Sequence, residues 1–511
     1  MRTKQIIGMK RSVASGRTST PGGSFCRAFL FALALFACAG TSWAQLTFNY
    51  NFTTNTAVPD NGQITDTRTL NGISNFSNVV VRLNLTSPNG NDPMWLGDMY
   101  STLTMGAGVR TAVLLNRPGL DNVNLFGSSL SALNVTLDDS ITQPDGNIWG
   151  TTTGTGTYNS DGRLGVNPYA AGVAFSNGDR NNTLGALNGS AVSGNQFSLL
   201  MADTAQGGSA QLSSWGVSIT GTAAGAGTTV AAGTGGTLSI SDGGVATTNT
   251  LGADLTTTQS GGGALVVTLA GTTTFSGTVG GSGALQKDGA GTLILSNATG
   301  NTYTGNTTVN AGTLLANNTS NSATGTGAVT VNNTGTLGGT GFINTGANVL
   351  TVNSGGTLRG GDGTVASTLS ITNTGAGAVT LNTGSIIELA LGTSFAHSTL
   401  AIAGSLSFAS AQIFHFLDFG ATIGTYDNII TGITDPGASI STWTITNAGW
   451  TGTFLYDGTG NIDLTLTAVP EPGTWAAGIL TVLALCWTQL RKSSRASGRR
   501  IFRLHKDSTI S

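Results

Sequence analysis

The chain has 511 residues, 77 of them glycine, and only 9% are charged; 39% are hydrophobic, which excludes the disorder that such small-residue enrichment otherwise signals. Six basic residues precede position 28 and seven follow position 490, so residues 45–468 hold eight basic against 21 acidic residues, a formal −13 that excludes a basic nucleic-acid footprint. The three cysteines, Cys26, Cys38 and Cys486, all lie toward the ends, which excludes disulfide staples and a cysteine nucleophile from the region between. What remains is an all-β protein, with Val, Ile, Leu and Thr in strands and Gly and Asn at corners that need positive φ.

Arg2, Lys4, Lys10, Arg11, Arg17 and Arg27 precede an apolar run at 28–39, and Ser42-Trp43-Ala44 places small residues before Gln45. This predicts a signal peptide over 1–44, cut between Ala44 and Gln45, with the Sec translocon and signal peptidase as partners. The apolar run is too short to span a bilayer.

Residues 45–221 contain short apolar runs such as Val79-Val80-Val81-Arg82-Leu83-Asn84-Leu85 and Ala112-Val113-Leu114-Leu115, divided by turn signals at Ser87-Pro88-Asn89-Gly90 and Pro144-Asp145-Gly146. The spacing predicts a β-sandwich. Several strings carry a resemblance: Trp95-Leu96-Gly97-Asp98-Met99-Tyr100, AVLLNRPG at 112–119, Thr136-Leu137-Asp138-Asp139, Gly194-Asn195-Gln196-Phe197-Ser198-Leu199, Ala202-Asp203, Gly207-Gly208 and Leu212-Ser213-Ser214-Trp215-Gly216-Val217. They resemble the P-domain-like jelly roll that accompanies proprotein convertases, with Phe197 where that family commonly has Trp. The convertase protease domain has no counterpart here, so the resemblance implies no proteolysis.

Charges almost vanish after residue 221, and a repeat emerges. Thr-Val-Asn recurs at 308–310, 330–332 and 351–353, and Gly-Thr-Leu at 291–293, 312–314, 335–337 and 356–358. Two strings with one period of 21–23 residues predict a parallel β-helix over 222–364, in which positions about 21–23 apart pair and stacked Asn and Thr hold the register. Leu285-Gln286-Lys287-Asp288-Gly289, Gly291-Thr292-Leu293-Ile294-Leu295, Asn301-Thr302-Tyr303-Thr304-Gly305 and Val309-Asn310-Ala311-Gly312-Thr313-Leu314 resemble the autotransporter-associated β-strand repeat. Residues 365–468 regain aromatics and are predicted to cap the solenoid.

The C-terminal region, 469–511, reads Val469-Pro470-Glu471-Pro472, then an apolar stretch at 474–490, then Arg491, Lys492, Arg495, Arg499, Arg500, Arg503 and Lys506. A 17-residue helix is about 25 Å long, which predicts a single, marginal transmembrane helix whose basic tail at 491–511 stays in the cytoplasm. The series is similar to the PEP-CTERM sorting signal. That resemblance implies processing at Val469, Pro470, Glu471 and Pro472 by an exosortase, in exopolysaccharide-producing Gram-negative bacteria.

Catalytic patterns are scarce. Neither His397 nor His415 accompanies a nucleophile elbow, and His415 alternates with apolar residues as a solvent-facing strand residue does. Asp138 and Asp139 are adjacent, so they suit turn capping better than a glycosidase pair. Calcium is the one cofactor with oxygen donors on offer (Asp98, Asp138, Asp139, Asp203), and no spacing assigns it. The expectation is a non-enzymatic, secreted structural or adhesive protein of the cell surface or extracellular matrix, reaching it through an inner-membrane intermediate, with exopolysaccharide as partner. The alternative is a carbohydrate-active enzyme or carbohydrate-binding protein using Trp95, Trp149 and Trp215.

Overall fold

The computed structural model describes residues 45–470 apart from short stretches, the longest being 165–174 and 191–195. Strict alternation builds the first sheet. Phe48, Tyr50 and Phe52 of strand Leu46–Val58, and Val81, Leu83 and Leu85 of strand Ile73–Thr86, are buried while their neighbours face outward. Strand Ala210–Ala223 lies between these two and pairs antiparallel with both. A second antiparallel sheet runs Gln63–Thr69, Gln196–Asp203, Met99–Met105, Arg110–Asn116.

The two sheets face each other. Phe76 meets Phe197 edge-on at 6.0 Å, the Arg68 guanidinium sits 4.7 Å over the Phe52 ring, and the Trp215 indole N–H donates to Asp66 Oδ2 at 2.7 Å. The predicted runs Val79–Leu85 and 112–115 lie on opposite layers of this core, in Ile73–Thr86 and Arg110–Asn116.

The chain then winds into a parallel β-solenoid. One ladder of parallel strands starts at Gly236–Ser241 and ends at Leu406–Ser407; a second, of nine strands, runs from Thr248–Leu251 to Thr444–Ile445. Pairing follows the repeated strings: Leu293, Leu314, Leu337 and Leu358 stack in one column, and Val309, Val331 and Val352 in another. Their separations of 21–23 residues are those of the sequence repeat. All seven side chains are fully buried. Parallel pairing continues past position 365, with Ile386 opposite Ile413 and Ile413 opposite Thr444. The antiparallel strands Thr451–Tyr456 and Asn461–Ala468 then close the third side against Gly424–Thr431.

Sandwich and solenoid share a strand. Leu46–Val58 pairs on one edge with Ala210–Ala223 and on the other with Gly236–Ser241, so a single 14-stranded sheet runs through both regions.

Part of the glycine content has a cause different from the one expected. Gly283, Gly305 and Gly327 do not have positive φ; each instead sits so close to the turn beneath it that a β-carbon would stand 1.8–2.2 Å from a carbonyl oxygen. No helix among the described residues is long and apolar enough to cross a membrane, and the span predicted at 474–490 lies outside them.

Candidate functional site

The outward positions of the solenoid carry its most regular chemistry. Asn310, Asn332, Asn353 and Asn382 each follow a strand of the first ladder, so the winding stacks them. Asn382 Nδ2 donates to Asn353 Oδ1 at 2.9 Å, Asn353 to Asn332 and Asn332 to Asn310 at 2.8 Å, and Asn310 to Asp288 Oδ1 at 2.8 Å. The chain of amide hydrogen bonds has one direction and ends on a carboxylate, which also accepts from Gln286 Nε2. The predicted asparagine stack is therefore present, terminated by an aspartate the sequence reading did not include.

The solenoid's two cations are both committed. Lys287 is fully buried, in register between Val267 and Val309, and its Nζ donates to the carbonyls of Asp288, Gly289 and Ala311. Burial lowers its pKa to about 8. Arg359 Nε bonds Glu388 Oε1 at 2.5 Å, and His415 Nδ1 lies 2.9 Å from Glu388 Oε2. His415 thus has the outward strand position expected of it, and shares that face with Glu388. Residues 359, 388 and 415 occupy one register position on consecutive turns. Aligning Leu358-Arg359, Ile387-Glu388 and Phe414-His415 turn by turn would have found the group.

The four carboxylates considered for calcium sit in two separate surroundings. Asp139 accepts from the amides of Ser160 and Leu184 and from Arg180 Nη2, while Asp138 caps the following turn through the Ser140 amide. Nearby, Asp161 and Arg163 form a fully buried pair with a 2.8 Å bond. Nothing in the sequence marked that pair except its two-residue spacing. In the second of these surroundings, Asp98 faces Arg117 at 3.7 Å, and Asp203 lies within electrostatic reach of Asp98 and Asp60. Burial, reinforced by those carboxylates, pushes Asp203 up to about 6. Among the described residues, no three His, Cys, Asp or Glu side chains form a metal-binding group.

A pH dependence follows. Between pH 4 and 6 the folded protein holds a proton on Asp203 that the unfolded chain has lost, so stability falls as pH rises through that window. Asp203→Asn is expected to remove this part of the slope, about 2 kcal/mol between pH 4 and 7. Urea titrations at half-unit pH steps check it; a variant curve parallel to the wild type would overturn the assignment.

The tryptophans of the alternative reading have separate surroundings. Trp215 is buried between the sheets at 5.0 Å from Phe52, Trp95 packs on Phe126, and Trp149 stacks on Phe175. They form no shared platform.

Of the processing residues, Gln45 immediately precedes the first strand, and Val469 and Pro470 follow the last one. Val469 packs on the core, and Pro470 lies beside the turn at Gly449. Ala44, Glu471 and Pro472 lie outside the described residues.

Comparison with known proteins agrees with the repeat and adds little elsewhere. Residues 285–316 match the Passenger-associated-transport-repeat family, over the turns that hold Lys287 and the first asparagine of the stack. No curated protein matches. Two solved structures are similar at 16% identity: a serine protease of Aeromonas sobria, with a TM-score of 0.19, and the same protease in complex with its chaperone, with a TM-score of 0.21. Each likeness covers 37% of this chain and 29% of the other. The chain thus spans less than a third of these neighbours, and its match to the Passenger-associated-transport-repeat family is confined to residues 285–316.

Proposed function

We propose that this is an exported, non-enzymatic protein of a Gram-negative bacterium, with a structural or adhesive role at the cell surface or in the extracellular matrix. The observation that carries the reading is the cysteine-free parallel solenoid with a passenger-associated transport repeat in its central turns. A long ladder satisfies its own backbone along the axis and presents a regular polar surface outward. That architecture suits a spacer or matrix component outside the cell, where a fold without disulfides is indifferent to redox conditions.

The N-terminal sandwich is read as a P-domain-like jelly roll that begins at Gln45 once the signal peptide is removed. The C-terminal region is read as a PEP-CTERM signal. A short apolar helix at 474–490 would hold the exported chain in the inner membrane, with the Pro470-Glu471-Pro472 triplet just outside. Two prolines keep the triplet out of the helix and extended, so that an exosortase can reach it. Exopolysaccharide, made by the bacteria that carry such enzymes, is the proposed partner of the released chain.

Intact mass in a host with an active exosortase tests the reading. The mature wild-type chain is expected to lack residues 491–511, and Glu471→Ala is expected to leave the longer form in the inner-membrane fraction. A wild-type chain that keeps its basic tail in such a host would refute the sorting route.

A further inference from the structure

The outer face of the sandwich sheet contains a cleft of about 490 Å³ that the reading above leaves unused. Its wall includes Asn51, Thr53, Arg82, Asn84, Asn134 and Ser214, with no carboxylate among the lining residues. Arg82 and Asn84 face out because Val81, Leu83 and Leu85 face the core. Asn84 lies directly opposite Ser214 on one neighbouring strand and Asn134 on the other.

Among the described arginines, Arg82 and Arg110 form no ion pair, and Arg110 donates to the Leu187 carbonyl instead. Arg68, Arg117, Arg163, Arg180 and Arg359 each pair with a carboxylate, whereas the guanidinium of Arg82 is held by neutral oxygens. Its Nε and Nη2 donate to Asn51 Oδ1 at 3.1 and 2.9 Å, and Nη1 donates to Ser218 Oγ at 2.6 Å. Nη2 also reaches the Tyr50 carbonyl at 3.4 Å. Gly216 makes this posture possible, since a β-carbon there would stand 2.5 Å from Asn51 Oδ1 and 3.0 Å from Arg82 Nη2.

The guanidinium is thereby fixed across the strand. Five N–H groups meet four acceptor contacts, which leaves one Nη1 hydrogen and the whole positive charge for a ligand. The region from 45 to 468 is otherwise strongly acidic, with 21 carboxylates against eight basic residues.

We propose that this cleft binds an acidic sugar residue, its carboxylate on Arg82 and its hydroxyls on the amides of Asn84 and Asn134 and the hydroxyl of Ser214. One cation matches the single charge of a uronate. The surrounding neutral amides and hydroxyls match sugar hydroxyls, whereas a free phosphate dianion would use few of them. The inference deepens the polysaccharide-associated reading and rests on it. Its test is independent of that reading's own, because processing concerns residues 469–511 and binding concerns the sandwich.

Calorimetry on the purified full-length protein decides it, with a galacturonate trimer, its methyl ester and inorganic phosphate as probes. The trimer is expected to bind at least tenfold more tightly than the ester or phosphate. Arg82→Gln is expected to lose about tenfold for the trimer and nothing for the ester. Asn134→Ala, a change at a surface position that leaves the guanidinium anchored, is expected to weaken trimer and ester alike by several-fold, so the site is tested even where Arg82→Gln fails to fold. Equal affinity for trimer and ester would overturn the proposal, as would phosphate binding as tightly as the trimer or unchanged trimer affinity in a folded Arg82→Gln.

Discussion

Gly305→Ala is expected to destabilise the solenoid by about 3 kcal/mol, more than a methyl group on most surfaces costs. The added carbon would stand 2.2 Å from the Gly283 carbonyl oxygen and 2.3 Å from its carbon, well inside van der Waals contact. Neither atom can rotate away, because both belong to the backbone of the turn beneath. Relief requires spreading adjacent turns. That strains the hydrogen bonds donated by the Leu285 N–H to the Asn306 carbonyl at 2.9 Å and by the Thr307 N–H to the Ala328 carbonyl at 2.8 Å. Gly263→Ala is the control: its nearest neighbour is Gln259 Cβ at 3.9 Å and its φ is not positive, so it is expected to be neutral or mildly stabilising. Urea unfolding of the two variants compares them directly. Equal midpoints would mean that the glycine column is not under axial contact.

Lys287→Met is expected to change the alkaline limb of the stability curve. The unfolded chain keeps the lysine proton up to its ordinary 10.5, whereas the folded protein releases it near pH 8. Between those values the unfolded state binds more protons, so wild-type stability rises with pH through that window. The rise is about 2 kcal/mol. Below pH 8 the charged ammonium is retained at a cost, partly offset by its three carbonyl partners. Methionine fills a similar volume but satisfies none of those carbonyls, so the variant is expected to be less stable at pH 10 and to show a flat profile from pH 8 to 10. A variant that retains the alkaline rise would place the titrating group elsewhere.

The solenoid was the most legible part of the chain, because a repeat states its own pairing. Once Leu293 and Leu314 occupy one register position, the ladder and its buried column follow from the period alone. Asparagine stacking was legible for the same reason. The charge groups were less so, since Arg359, Glu388 and His415 are 27–29 residues apart, where the period has lengthened beyond the repeated strings. Composition misled about some glycines. It suggested left-handed corners, which Gly289 and Gly312 supply, but it contains no trace of the axial crowding at Gly283, Gly305 and Gly327. In the sandwich, the alternation of strand Ile73–Thr86 showed which residues face inward. It could not show that Arg82 would lie over Gly216, because that meeting depends on which strand becomes the neighbour. The shared strand was invisible for a similar reason: Leu46–Val58 and Gly236–Ser241 are nearly two hundred residues apart.

That shared strand bears on what the solenoid's first turn offers to a second copy. An open first turn would offer a row of bare amides and carbonyls to any second copy, the usual start of fibre growth. Here the exposed flank of Gly236–Ser241 is taken by a strand running the opposite way, from the N-terminal end of the same chain. At the far end, the antiparallel pair Thr451–Tyr456 and Asn461–Ala468 breaks the parallel order on one side. The outermost strand there, Thr451–Tyr456, is reversed twice and so runs with Gly424–Thr431 again, while Thr229–Val230 and Thr248–Leu251 begin the other two ladders as sheet edges among the described residues. The sandwich thus also covers one edge of the solenoid's first turn, through the direction of a single strand pairing.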